Sequence, residues 1–127
     1  MSRCVLDSSA LLAFIHREPG AEAVDEVIGD ALISSVNFAE VITKLVTRGS
    51  SFESARIALG VAEPDVIDFT RSLADQAGGL VVRTRSKGLS LGDRACLALA
   101  QREGVPAFTA DRAWASLDIG IEIRLIR

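Results

Sequence analysis

The chain is poor in tyrosine, tryptophan, histidine and cysteine. Tyrosine is absent, and the 127 residues include one tryptophan, one histidine and two cysteines. A single histidine, His16, argues against a histidine-rich metal site, and two isolated cysteines, Cys4 and Cys96, do not make a zinc site. We expect both cysteines to be buried as small apolar side chains, and His16, which ends a predicted helix, to lie at the surface.

Long apolar runs and an excess of positive charge are also missing. No run approaches the roughly 18 apolar residues that a membrane span needs, and no signal-peptide pattern is present. A cytoplasmic protein with no membrane contact is therefore expected. The net charge of −3 argues against nonspecific coating of nucleic acid, although the arginines still allow a local basic rim.

The residues that are present suit one domain over positions 1–127, with 49% apolar and 24% charged residues. Strands are predicted at 3–7, 31–34, 64–67, 105–109 and 119–126, the last as an edge strand with one wet face. Helices are predicted at 8–16, 21–28, 37–48, 52–59, from 68 or 70 to 76 with an end that could reach 85, 90–102 and 111–117. This alternation predicts a three-layer α/β/α sandwich with a mostly parallel central sheet.

Acidic residues stand near the ends of the predicted strands. Asp7 and Asp111 directly follow strands, and Glu40 lies in the helix after a third strand. Parallel strands share one carboxyl edge, where ligands bind, so these three acids are expected at one edge. The sequence does not place Asp93 in the same way.

Each of these acids also has a purely structural explanation, because acids cap helices. Asp7 and Asp111 each precede a helix, Asn37 and Glu40 resemble a capping box with Asn37 as the cap, and Ser90 with Asp93 resembles another. Taken singly, capping is the favoured explanation for each. Glu40 also falls opposite the apolar stripe of its helix, which is the usual position of a solvated residue.

Asp93 argues for more than capping. Its helix is apolar almost all round and should be buried, and a buried carboxylate is costly unless it is paired or bound to metal. Several carboxylates packed together would repel one another, whereas Mg²⁺ or Mn²⁺ prefers hard oxygen ligands. Two such ions can activate water and stabilise the leaving oxygen of a phosphodiester.

Four stretches, taken in order, resemble the PIN-domain ribonucleases and, more narrowly, the VapC toxins of VapBC toxin–antitoxin modules. They are Leu6-Asp7-Ser8-Ser9-Ala10, Ser34-Ser35-Val36-Asn37-Phe38-Ala39-Glu40-Val41, Leu89-Ser90-Leu91-Gly92-Asp93-Arg94-Ala95-Cys96-Leu97-Ala98 and Thr109-Ala110-Asp111-Arg112-Ala113-Trp114. The resemblance covers essentially the whole chain.

The resemblance implies a metal-dependent endoribonuclease that uses Mg²⁺ or Mn²⁺ to hydrolyse single-stranded or loop RNA. The family's four acids fall on Asp7, Glu40, Asp93 and Asp111, with Asp7 and Asp93 as the principal ligands, and Thr109 would assist through its hydroxyl. It also implies a homodimer and a cognate antitoxin that blocks the site.

Several basic and aromatic residues near these motifs have two interpretations. Arg94 and Arg112 each follow a predicted ligand and would contact phosphate or an antitoxin, or else orient the neighbouring acid through a salt bridge. A basic cluster formed by Arg83, Arg85 and Lys87 is predicted to be a solvated face, which beside a nuclease site could steer RNA. Trp114 is expected in the core rather than on a base-stacking platform.

Three other functions compete with the nuclease. A PIN-like module that binds RNA or protein without cutting would differ in lacking metal binding. A phospho-acceptor receiver domain would need an acidic pair at Asp7 and a lysine after a later strand, which the last strands do not offer. A dinucleotide-binding domain would need a glycine-rich loop after the first strand, and none is present.

Overall fold

A computed structural model describes residues 4–127, so Arg3, the first residue of the predicted first strand, lies outside it. The strands are β1 (Cys4–Leu6), β2 (Ala31–Ser34), β3 (Asp65–Ile67), β4 (Ala107–Thr109) and β5 (Ile123–Leu125). The helices are α1 (Ser8–His16), α2 (Ala21–Asp25), α3 (Ser35–Thr47), α4 (Phe52–Ala62), α5 (Arg71–Gly79), α6 (Val81–Thr84) and α7 (Leu91–Glu103). Short 3₁₀ turns cover Ile28–Asp30, Arg85–Lys87 and Arg112–Ser116.

The five strands form one parallel sheet in the order β3-β2-β1-β4-β5. Strand β1 is central and fully buried, with β2 on one side and β4 on the other. Strand β5 is an edge strand whose Arg124 is exposed between the half-buried Ile123 and Leu125, as the alternation predicted. The predicted parallel α/β architecture is confirmed.

Each face of the sheet has its own apolar core. Side chains alternate between faces along a strand. Cys4 and Leu6 of β1 accordingly pack with α1, α2, α3 and α4, whereas Val5 packs with α5 and α7. Trp114 is fully buried in the second core, as expected, and both cysteines are buried and free. The sheet is therefore the middle layer of an α/β/α sandwich.

The largest error in the predicted elements concerns the start of α3. The capping residue is Ser34, whose hydroxyl accepts a hydrogen bond from the Val36 amide at 3.2 Å, rather than Asn37. Strand β2 passes into the helix without a loop, so Asn37 lies inside the first turn. Its side chain is therefore free to contact another element.

Other boundaries differ by a few residues. Helix α2 ends at Asp25, and the chain then turns at Glu26 and Val27 before the 3₁₀ turn at Ile28–Asp30. Helix α4 continues through Gly60 to Ala62, where Glu63 ends it in a left-handed conformation. Strands β4 and β5 are shorter than predicted because only residues 107–109 and 123–125, toward the ends of the predicted strands, pair with each other. Within residues 4–127, no helix is long and apolar enough to cross a bilayer.

Candidate functional site

The site lies between β1 and β4, where the strand order switches from one side of the sheet to the other. From β1 the chain moves to β2 and β3 on one side, and later it returns to β4 and β5 on the other. In parallel α/β sheets the crevice at such a switch point, outside the carboxyl ends of the strands, is the usual ligand site. Asp7 directly follows β1 and Thr109 ends β4, so both flank this crevice.

Asp7 is a buried carboxylate held by three hydrogen bonds. Its side chain is 4% exposed. Oδ1 accepts from the Ser9 hydroxyl at 2.7 Å and from the Ala10 amide at 2.8 Å, and Oδ2 accepts from the Thr109 hydroxyl at 2.6 Å. Asp7 thus caps α1 and, at the same time, joins the ends of β1 and β4.

Burial raises the pKa of Asp7 from 3.8 to about 6, although the hydrogen bonds from Thr109, Ser9 and Ala10 partly oppose this shift. The negative charge of Asp93 contributes a smaller part of the same rise in pKa. No Lys, Arg or His within residues 4–127 forms a salt bridge with Asp7. Within the described part of the chain, Asp7 is therefore a buried acid without a cationic partner.

Asp93 lies at the start of α7 and is half-buried, not deeply buried as its apolar helix suggested. The helix is buried from Ala95 to Ala100, but Asp93 precedes that stretch. Its carboxylate accepts from the Ser90 amide at 3.0 Å, and its own amide donates to the Ser90 hydroxyl at 3.1 Å. The predicted capping box is thus present, and the costly buried acid is Asp7.

Glu40 is half-buried and points toward α7, so its expected solvated position is wrong. Its Oε1 accepts from the side-chain amide of Asn37 at 2.9 Å. The same Asn37 nitrogen donates to the Gly92 carbonyl oxygen at 2.9 Å, which joins α3 to the first turn of α7. The helical wheel missed this because the first turn of α3 packs against a second helix.

Asp111 and the two arginines lie at the margin of the site. Asp111 is exposed, and its carboxylate accepts from the Ala113 amide at 3.0 Å as the predicted cap. The guanidinium of Arg94 donates to the Ala77 carbonyl oxygen of α5 at 2.9 Å, rather than to the acid beside it. Arg112 is exposed, as are Arg85 and Lys87 of the basic cluster.

The thiol of Cys96 lies one turn after Asp93 in α7, and the charges of several acids affect its pKa. Burial raises its pKa, and the negative charges of Asp7, Asp93 and Glu40 raise it further. Two of the predicted acids lie at the start of α7, Asp93 in its first turn and the Glu40 carboxylate against Gly92. However, across residues 4–127 no three acidic, histidine or cysteine side chains form a ready-made metal site.

The donor set still suits a hard divalent cation. The available groups are carboxylate oxygens, and those of Asp7 are buried without a cationic partner among residues 4–127. Such oxygens are the ligands that Mg²⁺ and Mn²⁺ prefer. A bound cation would favour ionised Asp7 and offset the cost of its burial. Asp7, Asp93 and Glu40 are therefore the residues that would hold the ion, with Asp111 at the exposed rim.

The family assignment follows from sequence comparison. A family model described as the PIN domain matches residues 4–120, which is nearly the whole chain. The chain belongs to the PIN-domain family. No curated protein matches it significantly in sequence.

Solved structures of a toxin and of toxin–antitoxin complexes have the same fold. The protein is similar to a toxin–antitoxin complex from Klebsiella pneumoniae, with a TM-score of 0.75 at 19% identity over 98% of each chain. It is also similar to DNA-bound VapBC from Salmonella typhimurium, with a TM-score of 0.74 at 21% identity over the full length of both chains. A third is VapC20 from Mycobacterium tuberculosis, a toxin that cleaves the sarcin-ricin loop, with a TM-score of 0.72 at 20% identity over 94% of this chain and 98% of that one. The predicted family and fold are thereby confirmed.

Three residues of this PIN-domain site were not predicted for the roles they have. The Ser9 hydroxyl donates to Asp7 and accepts from the Ala110 amide at 2.9 Å, so it links α1 to the end of β4. Asn37 was predicted as a cap, and Gly92 was given no role. Ser9 could have been recognised from the sequence, because it follows the buried Asp7 by two residues. The contact between Asn37 and Gly92 joins residues 55 positions apart, so no local sequence pattern indicated it.

Proposed function

We propose that this protein is a metal-dependent endoribonuclease, the toxin component of a type II toxin–antitoxin pair. The observation that carries the proposal is the buried Asp7 carboxylate, which has a raised pKa and lies at the switch point of the sheet beside Asp93. Perturbed acids in a crevice of this kind are typical of catalytic sites. The likeness to PIN-domain toxins supports the same reaction class.

In the proposed reaction, each residue has a distinct task. Asp7, Asp93 and Glu40 would hold Mg²⁺ or Mn²⁺, which would supply Lewis-acid activation of water and stabilisation of charge on the leaving oxygen of the phosphodiester. The hydroxyls of Ser9 and Thr109 hold the Asp7 carboxylate in one orientation. Asp111, which is exposed at the rim, would orient the water or the RNA.

The likeness to solved toxin–antitoxin complexes supports a protein partner as well. We therefore propose that a cognate antitoxin covers the crevice and keeps the nuclease inactive. A homodimer and a cytoplasmic location belong to the same proposal. The exposed Arg85 and Lys87 would guide RNA toward an otherwise acidic site.

Cleavage of RNA should depend on both metal and Asp93. Purified protein, freed of any antitoxin, is incubated with a labelled pool of cellular RNA in Mn²⁺ or Mg²⁺ and then with EDTA. Wild type should give discrete fragments that EDTA abolishes, and Asp93→Asn should give none. Asp65→Asn is the matched control. Asp65 is an exposed acid at the amino end of β3, whereas the site lies at the carboxyl ends of the strands.

Two outcomes would contradict the proposal. Fragments that persist in EDTA would exclude a metal-dependent reaction. Absence of cleavage at high protein concentration, together with absence of Mn²⁺ binding, would favour a PIN domain that binds RNA or protein without cutting it. The ends of the fragments would identify the RNA.

Thr109→Val should weaken binding of Mn²⁺ by about 10- to 100-fold, since groups that orient a ligand typically contribute that much. The substitution keeps the shape of the side chain but removes the donor to Asp7 Oδ2 and the acceptor for the Asp111 amide. Thr109→Ser, which keeps the hydroxyl, is the control. Calorimetric titration with Mn²⁺ measures the effect. Equal Mn²⁺ affinities of the two variants would show that the Thr109 hydroxyl does not contribute to metal binding.

A further inference from the structure

The backbone conformation at Gly92 does not require glycine. Gly92 is the second residue of α7 and does not have a positive φ angle, so alanine would be the better helix former there. Gly60 in α4 and Gly78 in α5 are likewise glycines within helices, and a Cβ added at either would meet nothing within 4 Å. Gly92 differs from both in what lies against it.

The Glu40 carboxylate occupies the place of the missing side chain. A Cβ at Gly92 would lie 2.5 Å from Glu40 Oε1 and 2.6 Å from Cδ, and still closer to Oε2. Such approaches are too short for a real Cβ, so the carboxylate would have to move. Because a glutamate side chain is flexible, the movement would cost little stability while changing where the carboxylate lies.

Asn37 holds the other side of the same contact. Its side chain is 1% exposed, and its nitrogen donates both to Glu40 Oε1 and to the Gly92 carbonyl oxygen. Both partners are acceptors only, which settles the orientation of the amide. The Glu40 carboxylate is therefore held between a buried donor from its own helix and a bare backbone on the neighbouring helix.

The start of α7 also stabilises the negative charge of the Glu40 carboxylate in this position. Glu40 lies against the first turn of α7, where the amides and the dipole of a 13-residue helix favour negative charge. The next residue is Asp93, and the charges of both acids reach Cys96. Without a constraint, a long and mobile side chain such as Glu40 would spread over many rotamers.

We propose that Asn37 and Gly92 are positioning residues that clamp Glu40 beside Asp93, and that the missing Cβ of Gly92 is required for this arrangement. The proposal rests on the proposed function in one respect, since it takes Glu40 to be a carboxylate of the metal site. Neither residue would touch the ion or the RNA. Both would act by fixing where the Glu40 carboxylate lies.

The test compares Gly92→Ala, Glu40→Gln, the double variant and the control Gly60→Ala. In urea unfolding, Gly92→Ala should be at least as stable as wild type, as should Gly60→Ala. In Mn²⁺ titration, Gly92→Ala should bind about 10- to 100-fold more weakly, whereas Gly60→Ala should match wild type. In the Glu40→Gln background, Gly92→Ala should add little further loss, because both changes act through one carboxylate.

A metal-free measurement separates the clamp from the nuclease. The NMR signals of the Asn37 side-chain amide should shift in both Gly92→Ala and Glu40→Gln and stay unchanged in Gly60→Ala. Unchanged Asn37 signals in Gly92→Ala would overturn the clamp even if the protein is a nuclease. Failure of wild type to bind Mn²⁺ and cut RNA would instead refute the proposed function, while the Asn37 signals would still decide whether the clamp exists.

Discussion

Asp7→Asn should abolish RNA cleavage and, in the metal-free protein at neutral pH, raise the temperature of unfolding. The two effects have one cause. Burial raises the pKa of Asp7 to about 6, so at neutral pH the folded protein carries a buried negative charge with no cationic partner within residues 4–127. Asparagine removes that charge, but with it the ligand that would bind a metal ion.

The pH dependence of this gain in stability has a defined sign. Asp7 titrates near 3.8 when unfolded and near 6 when folded, so between these values the folded state binds more protons. The wild-type stability contributed by protonated Asp7 is thus fully present below pH 3.8 and is lost as the pH rises to 6. Asp7→Asn should therefore match wild type near pH 3.5 and exceed it by roughly 1–3 kcal/mol above pH 6.

The hydrogen bonds around Asp7 should survive this substitution. The asparagine oxygen can still accept from Ser9 and Ala10, and its amide can donate to the Thr109 hydroxyl, which then acts as an acceptor. Thermal unfolding from pH 3.5 to 8, with and without Mn²⁺, measures the effect. Mn²⁺ should stabilise wild type and not the variant. A variant less stable than metal-free wild type at pH 7 would show that lost hydrogen bonding at position 7 outweighs relief of the buried charge.

Asp93→Asn and Ser90→Ala should have opposite profiles. Asparagine at 93 can still accept from the Ser90 amide, so stability should change by less than about 1 kcal/mol, whereas cleavage should fall by more than about a hundredfold because a ligand is lost. Ser90→Ala removes the acceptor for the Asp93 amide and should cost about 1 kcal/mol, yet it leaves the carboxylate in place. Cleavage by that variant should stay close to wild type.

Denaturant unfolding and RNA cleavage, measured on the same preparations, test this separation of roles. The capping box alone would explain Asp93 if Asp93→Asn retained full cleavage. Equal losses of cleavage in both variants would mean that the start of α7 must be rigid for any activity, and that the carboxylate has no separate role. Either result would move the metal site toward Asp7 and Asp111.

Residue pattern alone was enough to predict the alternation of strands and helices, the buried first strand and the acids at strand ends. These features are local: an apolar run, a helical period and a capping residue can each be recognised within a few positions. Asp7 was a predicted site residue for this reason, because it follows a buried strand, whereas Thr109 was predicted only from the resemblance to PIN domains. The four motifs in order were also sufficient to predict the PIN-domain family.

Tertiary packing decided which of these acids is buried and which side chains hold them in place. The apolar pattern of its helix predicted that Asp93 would be the buried carboxylate. Whether an acid is buried, however, depends on which elements pack around it, and here β4 and α1 pack around Asp7. Glu40 accepts from Asn37 of its own helix, but it also packs against Gly92 of α7, more than 50 residues away, and no local period could indicate that contact. Strand order, and with it the switch point between β1 and β4, likewise follows only from pairing across the sheet, because long-range contacts leave no trace in neighbouring residues.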